Sequence, residues 1–189
     1  MRSRQSPRCR SRKGRILCPR CRRTRASLGQ CAPLRLSVLG DLAFLRRDKL
    51  GPFCSVKCPG DLILRAYDYA KRLRDDGVAV IGGFHSPVEK ECLRILLRGT
   101  QPVIICPARS LGEMRLPGEW KQAIENSRLL LLSPFAGAQK RATAELAQER
   151  NRFVAAIADR VCFIYTTPGG TLESLANDLR EDGKPIIRP

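Results

Sequence analysis

From Leu36 onward short, wholly apolar runs alternate with longer segments in which apolar residues recur every three or four positions. The short runs read as strands buried on both faces, and the longer segments as amphipathic helices. Leu36 to Leu45 is an apolar stretch expected to form a short helix. Gly51–Val56 is expected as a strand. Asp61–Asp75 places Leu62, Leu64, Ala66, Tyr69, Ala70 and Leu73 at helical spacing, and Gly77 ends it. Strands follow at Val78–Ile81, Pro102–Cys106, Leu129–Leu132, Val161–Tyr165 and Pro185–Ile187. Helices are expected at Pro87–Arg98, Ala138–Ala158 and Thr171–Glu181. The alternation predicts an α/β fold: a doubly wound, mostly parallel, Rossmann-like sheet with helices on both faces. In such a sheet ligands bind beyond the carboxyl ends of the strands.

The first 35 residues do not share this pattern. They hold eleven Arg, one Lys and no acid, so they carry +12 of the net charge of +17. Two units follow: an Arg/Cys-rich tail, 1–35, expected to be disordered, and a folded domain, 36–189, of +5. The tail's Cys18-Pro-Arg-Cys21 pair is a weak zinc candidate, because no second pair completes a four-ligand set. A basic arm for nucleic acid and a solvated extension without a ligand are the other readings of this segment. No apolar run reaches the roughly 20 residues that cross a bilayer, and no signal-peptide core follows the first basic residues. The nine cysteines are odd in number and partly set in apolar runs. Reduced thiols and a cytoplasmic location are therefore expected.

The loops after the strands carry the candidate chemistry. After the first main strand, Ser55 and Lys57 supply a hydroxyl and a cation before a helix, a combination that suits an anion. An ordinary strand-to-helix turn is the alternative. After the second, Gly82-Gly83-Phe84-His85-Ser86 allows close approach of a backbone, and His85 is the single histidine. His85 is read either as a phosphate or base ligand or as part of a helix cap with Ser86. Pro107–Ser110 offers Arg109 and a hydroxyl, and Phe135 is read as an aromatic anchor. Arg150, Asn151 and Arg152 precede an apolar stretch. The two arginines are two apart, so a regular helix sends them to different faces, whereas a helix starting near Asn151 lets both reach one phosphate. The strongest local signal is Pro168-Gly169-Gly170-Thr171-Leu172-Glu173, a glycine turn opening a helix, as in phosphate-cradling turns. A turn merely capped by Thr171 is the alternative.

Taken in order, Phe53–Gly60, Val80–Glu89, Arg150–Asp159 and Pro168–Glu173 resemble the DNA-processing protein A (DprA, or Smf) family over residues 36–189. The resemblance implies a non-catalytic protein that binds single-stranded DNA in natural transformation, passes it to a RecA-type recombinase, self-associates as a homodimer and needs no cofactor. It implies DNA contacts at Ser55, Lys57, Gly83, His85, Arg150, Asn151 and Arg152, and a phosphate turn at Gly169, Gly170 and Thr171. Where the family has Gly-Ser-Arg, this chain has Cys54-Ser55-Val56, with Lys57 as the nearest cation. Of these segments, Arg150–Asp159 followed by Pro168–Glu173 is also similar to the LOG phosphoribohydrolases, which would make Glu173 a catalytic acid. A nucleotide-sensing domain without chemistry is the third class.

Overall fold

The computed structural model describes residues 36–112, 114–135, 137 and 139–189. The tail, on which the expectation of disorder and the Cys18 and Cys21 zinc candidates fall, lies outside the described residues.

Among the described residues seven strands form one sheet in the order β1-β5-β4-β3-β2-β6-β7. They are β1 (Ser37–Leu39), β2 (Lys49–Cys54), β3 (Ala79–Gly82), β4 (Val103–Ile105), β5 (Leu129–Ser133), β6 (Arg160–Tyr165) and β7 (Ile186–Ile187). Of these strands β1 alone runs antiparallel, along β5 at one edge. The described residues also form the α-helices that join them: α1 (Gly60–Asp75), α2 (Pro87–Leu97), α3 (Gly118–Glu125), α4 (Ala144–Ile157) and α5 (Thr171–Glu181).

The strands are apolar throughout because both sheet faces are covered. On one face α1, α2 and α3 bury Ala66, Ala70, Cys92, Leu96 and Ala123 against Leu50, Val80, Val103, Leu129 and Leu131. On the other, α4 and α5 bury Val154, Ala155, Leu172 and Leu175 against Phe53, Ile81, Ile104, Leu130 and Val161. Complete burial of Leu129–Leu132 explains an unbroken leucine run where a half-exposed strand would alternate.

Four elements depart from the sequence reading. The strand expected at Gly51–Val56 is β2 at Lys49–Cys54, two residues earlier at each end, which leaves Ser55 and Val56 in the loop. The stretch expected as a helix over Leu36–Leu45 is instead the edge strand β1 followed by a 3-10 turn, Leu42–Arg46. Gly40 breaks the run at φ +118°, and the Asp41 carboxylate caps the turn by accepting from the Ala43 N–H. The helix expected from Ala138 begins at Ala144, where the Thr143 hydroxyl accepts from the Leu146 N–H. Helix α3 had no counterpart in the pattern; of its eight residues only Ala123 is fully buried.

Successive strands from β2 to β5 move outward in one direction. Helix α4 then returns the chain to the other side of β2, where β6 pairs with it in parallel. The winding therefore reverses between β2 and β6, and the crevice of a doubly wound sheet opens beyond their carboxyl ends.

Candidate nucleic-acid interface

Ser55 stands at the reversal point, half-buried. Its N–H donates to the Tyr165 carbonyl at 2.9 Å, and its Oγ accepts from the Thr167 N–H at 3.0 Å. The hydroxyl predicted to hold a ligand thus ties the loop after β2 to the loop after β6, and its own proton remains to donate. Two residues on, Lys57 is exposed to solvent beside Val56.

The loop after β3 is held by Glu89, whose importance the sequence reading did not register. Its Oε1 accepts from the Cys54 N–H at 3.0 Å; Oε2 accepts from His85 N–H at 2.8 Å and Ser86 N–H at 3.2 Å. Ser86 returns a bond from its Oγ to the Glu89 N–H, which completes a capping box at α2. One buried carboxylate therefore joins the ends of β2 and β3. The N-cap is Ser86, and the His85 ring is exposed. Phe84 adopts φ +48°, a conformation a bulky residue rarely holds, and is buried against Gly82.

Arg150 and Arg152 part company because α4 is already regular there. Arg150 is 3% exposed. Its Nη1 donates to the Cys106 carbonyl at 3.2 Å and its Nε to Asn151 Oδ1 at 2.8 Å. The guanidinium lies directly beneath Gly83, filling the space a Cβ there would need. Burial lowers its pKa, opposed by the nearby charge of Glu89. Burial likewise pushes the Cys106 thiol up to about 12, against the pull of Arg150. Among the described residues no carboxylate comes within ion-pair distance of Arg150. Arg152 projects to the surface on the side facing α5.

The turn after β6 has the expected form. Gly169 takes φ +70°, and a side chain at Gly170 would strike the Thr167 carbonyl. The cap, however, is not Thr171. Gly170 is the N-cap, without a side-chain bond, and Thr171 is the first helical residue. Glu173 folds back so that Oε2 accepts from the Gly169 N–H at 2.7 Å. The carboxylate offered as a catalytic acid thus closes the turn. Between α4 and α5 a cleft of about 190 Å3 is lined by Gln148, Asn151, Arg152, Thr171, Ser174 and Leu175.

The structure therefore brings Ser55 together with the turn after β6, Gly83 with Arg150, and Asn151 and Arg152 with Thr171. Lys57 and His85 stand on neighbouring loops without a hydrogen bond from either side chain among the described residues.

No family model matches the chain, and no curated protein matches it in sequence. Solved structures do match. A structure giving the single-stranded DNA binding mode of DNA processing protein A from Helicobacter pylori superposes with a TM-score of 0.69 at 19% identity, covering 84% of this chain and 73% of that one. DNA processing protein A from Streptococcus pneumoniae gives 0.69 at 16% identity over 86% of this chain. This chain spans 58% of the pneumococcal protein's length. The molybdenum cofactor binding protein of the phototrophic bacterium Rippkaea orientalis gives 0.51 at 15% identity, covering 76% of each chain. The chain has the Rossmann-like fold of the DNA processing A proteins.

Proposed function

We propose that the folded domain binds the phosphate backbone of single-stranded DNA along the carboxyl edge of its sheet. Arg150 is the observation that carries the reading. A guanidinium stays charged even when buried, and burying it with Glu89 nearby but, among the described residues, no carboxylate at ion-pair distance is costly. Here the cation is kept under a glycine at the strand ends, where an anion would find its field least screened by water. Lys57 and Arg152 add exposed cations to either side, and the uncapped start of α5 adds backbone donors. Such a row suits a polyanion, and the shared fold with a single-stranded-DNA-binding protein supports that choice.

In this reading the protein acts in DNA processing during natural transformation, in the cytoplasm, with a RecA-type recombinase and a second copy of the chain as further partners. Among the described residues no helix is long and apolar enough to cross a membrane. Glu173 is given a structural part here, its Oε2 accepting from the Gly169 N–H, and no chemical step is assigned to it.

The test is fluorescence anisotropy of labelled oligothymidine across a salt series. Lys57→Ala and Arg152→Ala should each weaken binding and lower the salt slope by about one. Unchanged affinity and slope in both variants would refute the interface.

A further inference from the structure

The cleft between α4 and α5 has a composition that phosphate binding alone does not require. Gln148, Asn151 and Arg152 stand at i, i+3 and i+4 of α4, and Thr171, Ser174 and Leu175 repeat that spacing on α5. Each helix thus presents one face to the cleft. Leu175 is buried and forms an apolar floor, while the other five side chains form a polar wall.

The wall has a fixed polarity at one point. Arg150 can only donate, and its Nε–H bonds Asn151 Oδ1. The Asn151 amide is therefore turned so that Nδ2, with two N–H donors, remains for the cleft. Thr171 and Ser174 add hydroxyls, Gln148 an amide of either polarity, and Arg152 a charged rim. The site is thus rich in donors above an apolar base. At about 190 Å3 it is smaller than the roughly 300–1,000 Å3 of sites that enclose a drug-sized ligand. It has room for one flat fragment of a polymer but not for a whole free nucleotide.

We infer that this cleft receives one pyrimidine base of the bound strand, unstacked from its neighbours, with its carbonyl oxygens toward Asn151 Nδ2 and its ring over Leu175. The inference rests on the single-stranded DNA reading above. It adds that the domain grips a base as well as the backbone. Phe84 and Phe135, the aromatic residues of the loops after β3 and β5, are buried and present no ring to a base. An aliphatic floor with amide and hydroxyl walls takes the place that aromatic platforms hold in other single-strand binders.

The experiment compares binding of oligothymidine with an abasic oligonucleotide of equal length and equal phosphate count. The full chain should prefer oligothymidine by about tenfold, the worth of one good base contact. Ser174→Leu, at an exposed helix position, fills the cleft without adding a ring. It should shrink the preference to about twofold or less, with affinity for the abasic strand unchanged. Equal affinity of the unaltered protein for both strands would overturn the base subsite and leave the backbone reading standing. A preference that survives Ser174→Leu would also overturn it, by placing the base contact elsewhere. Failure to bind either strand would remove both readings.

Discussion

The guanidinium of Arg150 occupies the volume in which a side chain at Gly83 would begin. The glycine is thus required by the arginine, and a residue on α4 dictates what the loop after β3 can be. Gly83→Ala must expel Arg150 from its bonds to Cys106 and Asn151 or shift the loop. Overpacking of this kind costs about 1–3 kcal/mol. Denaturant unfolding should show that loss, and DNA affinity should fall with it. Gly82→Ala is milder, because its methyl meets only the tip of the Phe84 ring at 3.1 Å.

Arg150→Met separates charge from packing. Methionine has similar reach and fills the buried space without a charge to desolvate. It leaves the Cys106 carbonyl and Asn151 Oδ1 without their donor, which offsets part of that relief. The melting temperature should therefore change little, while the salt slope of DNA binding should fall by about one. A normal slope with normal stability would show that Arg150 is a core residue and not part of the interface.

Much of the sheet was legible because its strands are buried on both faces. Val78–Ile81 and Leu129–Leu132 contain no polar residue to confuse the period, and each lies within a residue of the observed strand. Leu36–Leu45 misled for the opposite reason. Its composition fits a helix, but an edge pairing with β5 and the positive φ of Gly40 decide the outcome, and both are tertiary. The site was legible as a set of loops but not as contacts. Nothing local tells that Arg150 turns inward while Arg152 turns outward, since that depends on where α4 begins. Glu89 was hidden because one of its partners, Cys54, lies 35 residues away. The i, i+3, i+4 set of Gln148, Asn151 and Arg152 was present to be read; its counterpart on α5 gives it meaning.

Glu89→Gln should damage both the fold and the interface. The carboxylate accepts three N–H bonds on two oxygens, from the ends of two strands. An amide turned either way sets its NH2 against at least one backbone N–H. Bonds to a charged acceptor are worth about 1.5–3 kcal/mol each, so a loss of about 2 kcal/mol is expected by chemical denaturation. Hydrogen exchange should locate it: the amides of Cys54, His85 and Ser86 should lose protection before those of β4 and β5. Uniform protection across the sheet would contradict the role given to Glu89.

Asp159 stands in the same segment as Arg150 but at the far end of the sheet, so its loss should have a different signature. Its Oδ2 accepts from the Lys49 Nζ at 2.7 Å and from the Lys49 N–H at 2.9 Å, while its own N–H donates to the Lys49 carbonyl. The Lys49 side chain is only 4% exposed, and its Nζ also donates to the carbonyls of Leu45 and Arg47. This knot locks the amino ends of β2 and β6 to the 3-10 turn. Asp159→Ala leaves the ammonium buried with carbonyl oxygens alone. Removing one partner of a buried pair costs about 3–5 kcal/mol. Asp159 is itself 22% exposed, and water can reach the vacated place, so the lower end, about 3 kcal/mol, is expected. Yet the knot lies opposite the strand ends that carry Ser55, Gly83 and Thr171. At a temperature where the variant is still folded, its DNA affinity and salt slope should match those of the unaltered protein. A loss of affinity by the folded variant would mean that the amino edge of the sheet takes part in binding, and the interface would have to be redrawn.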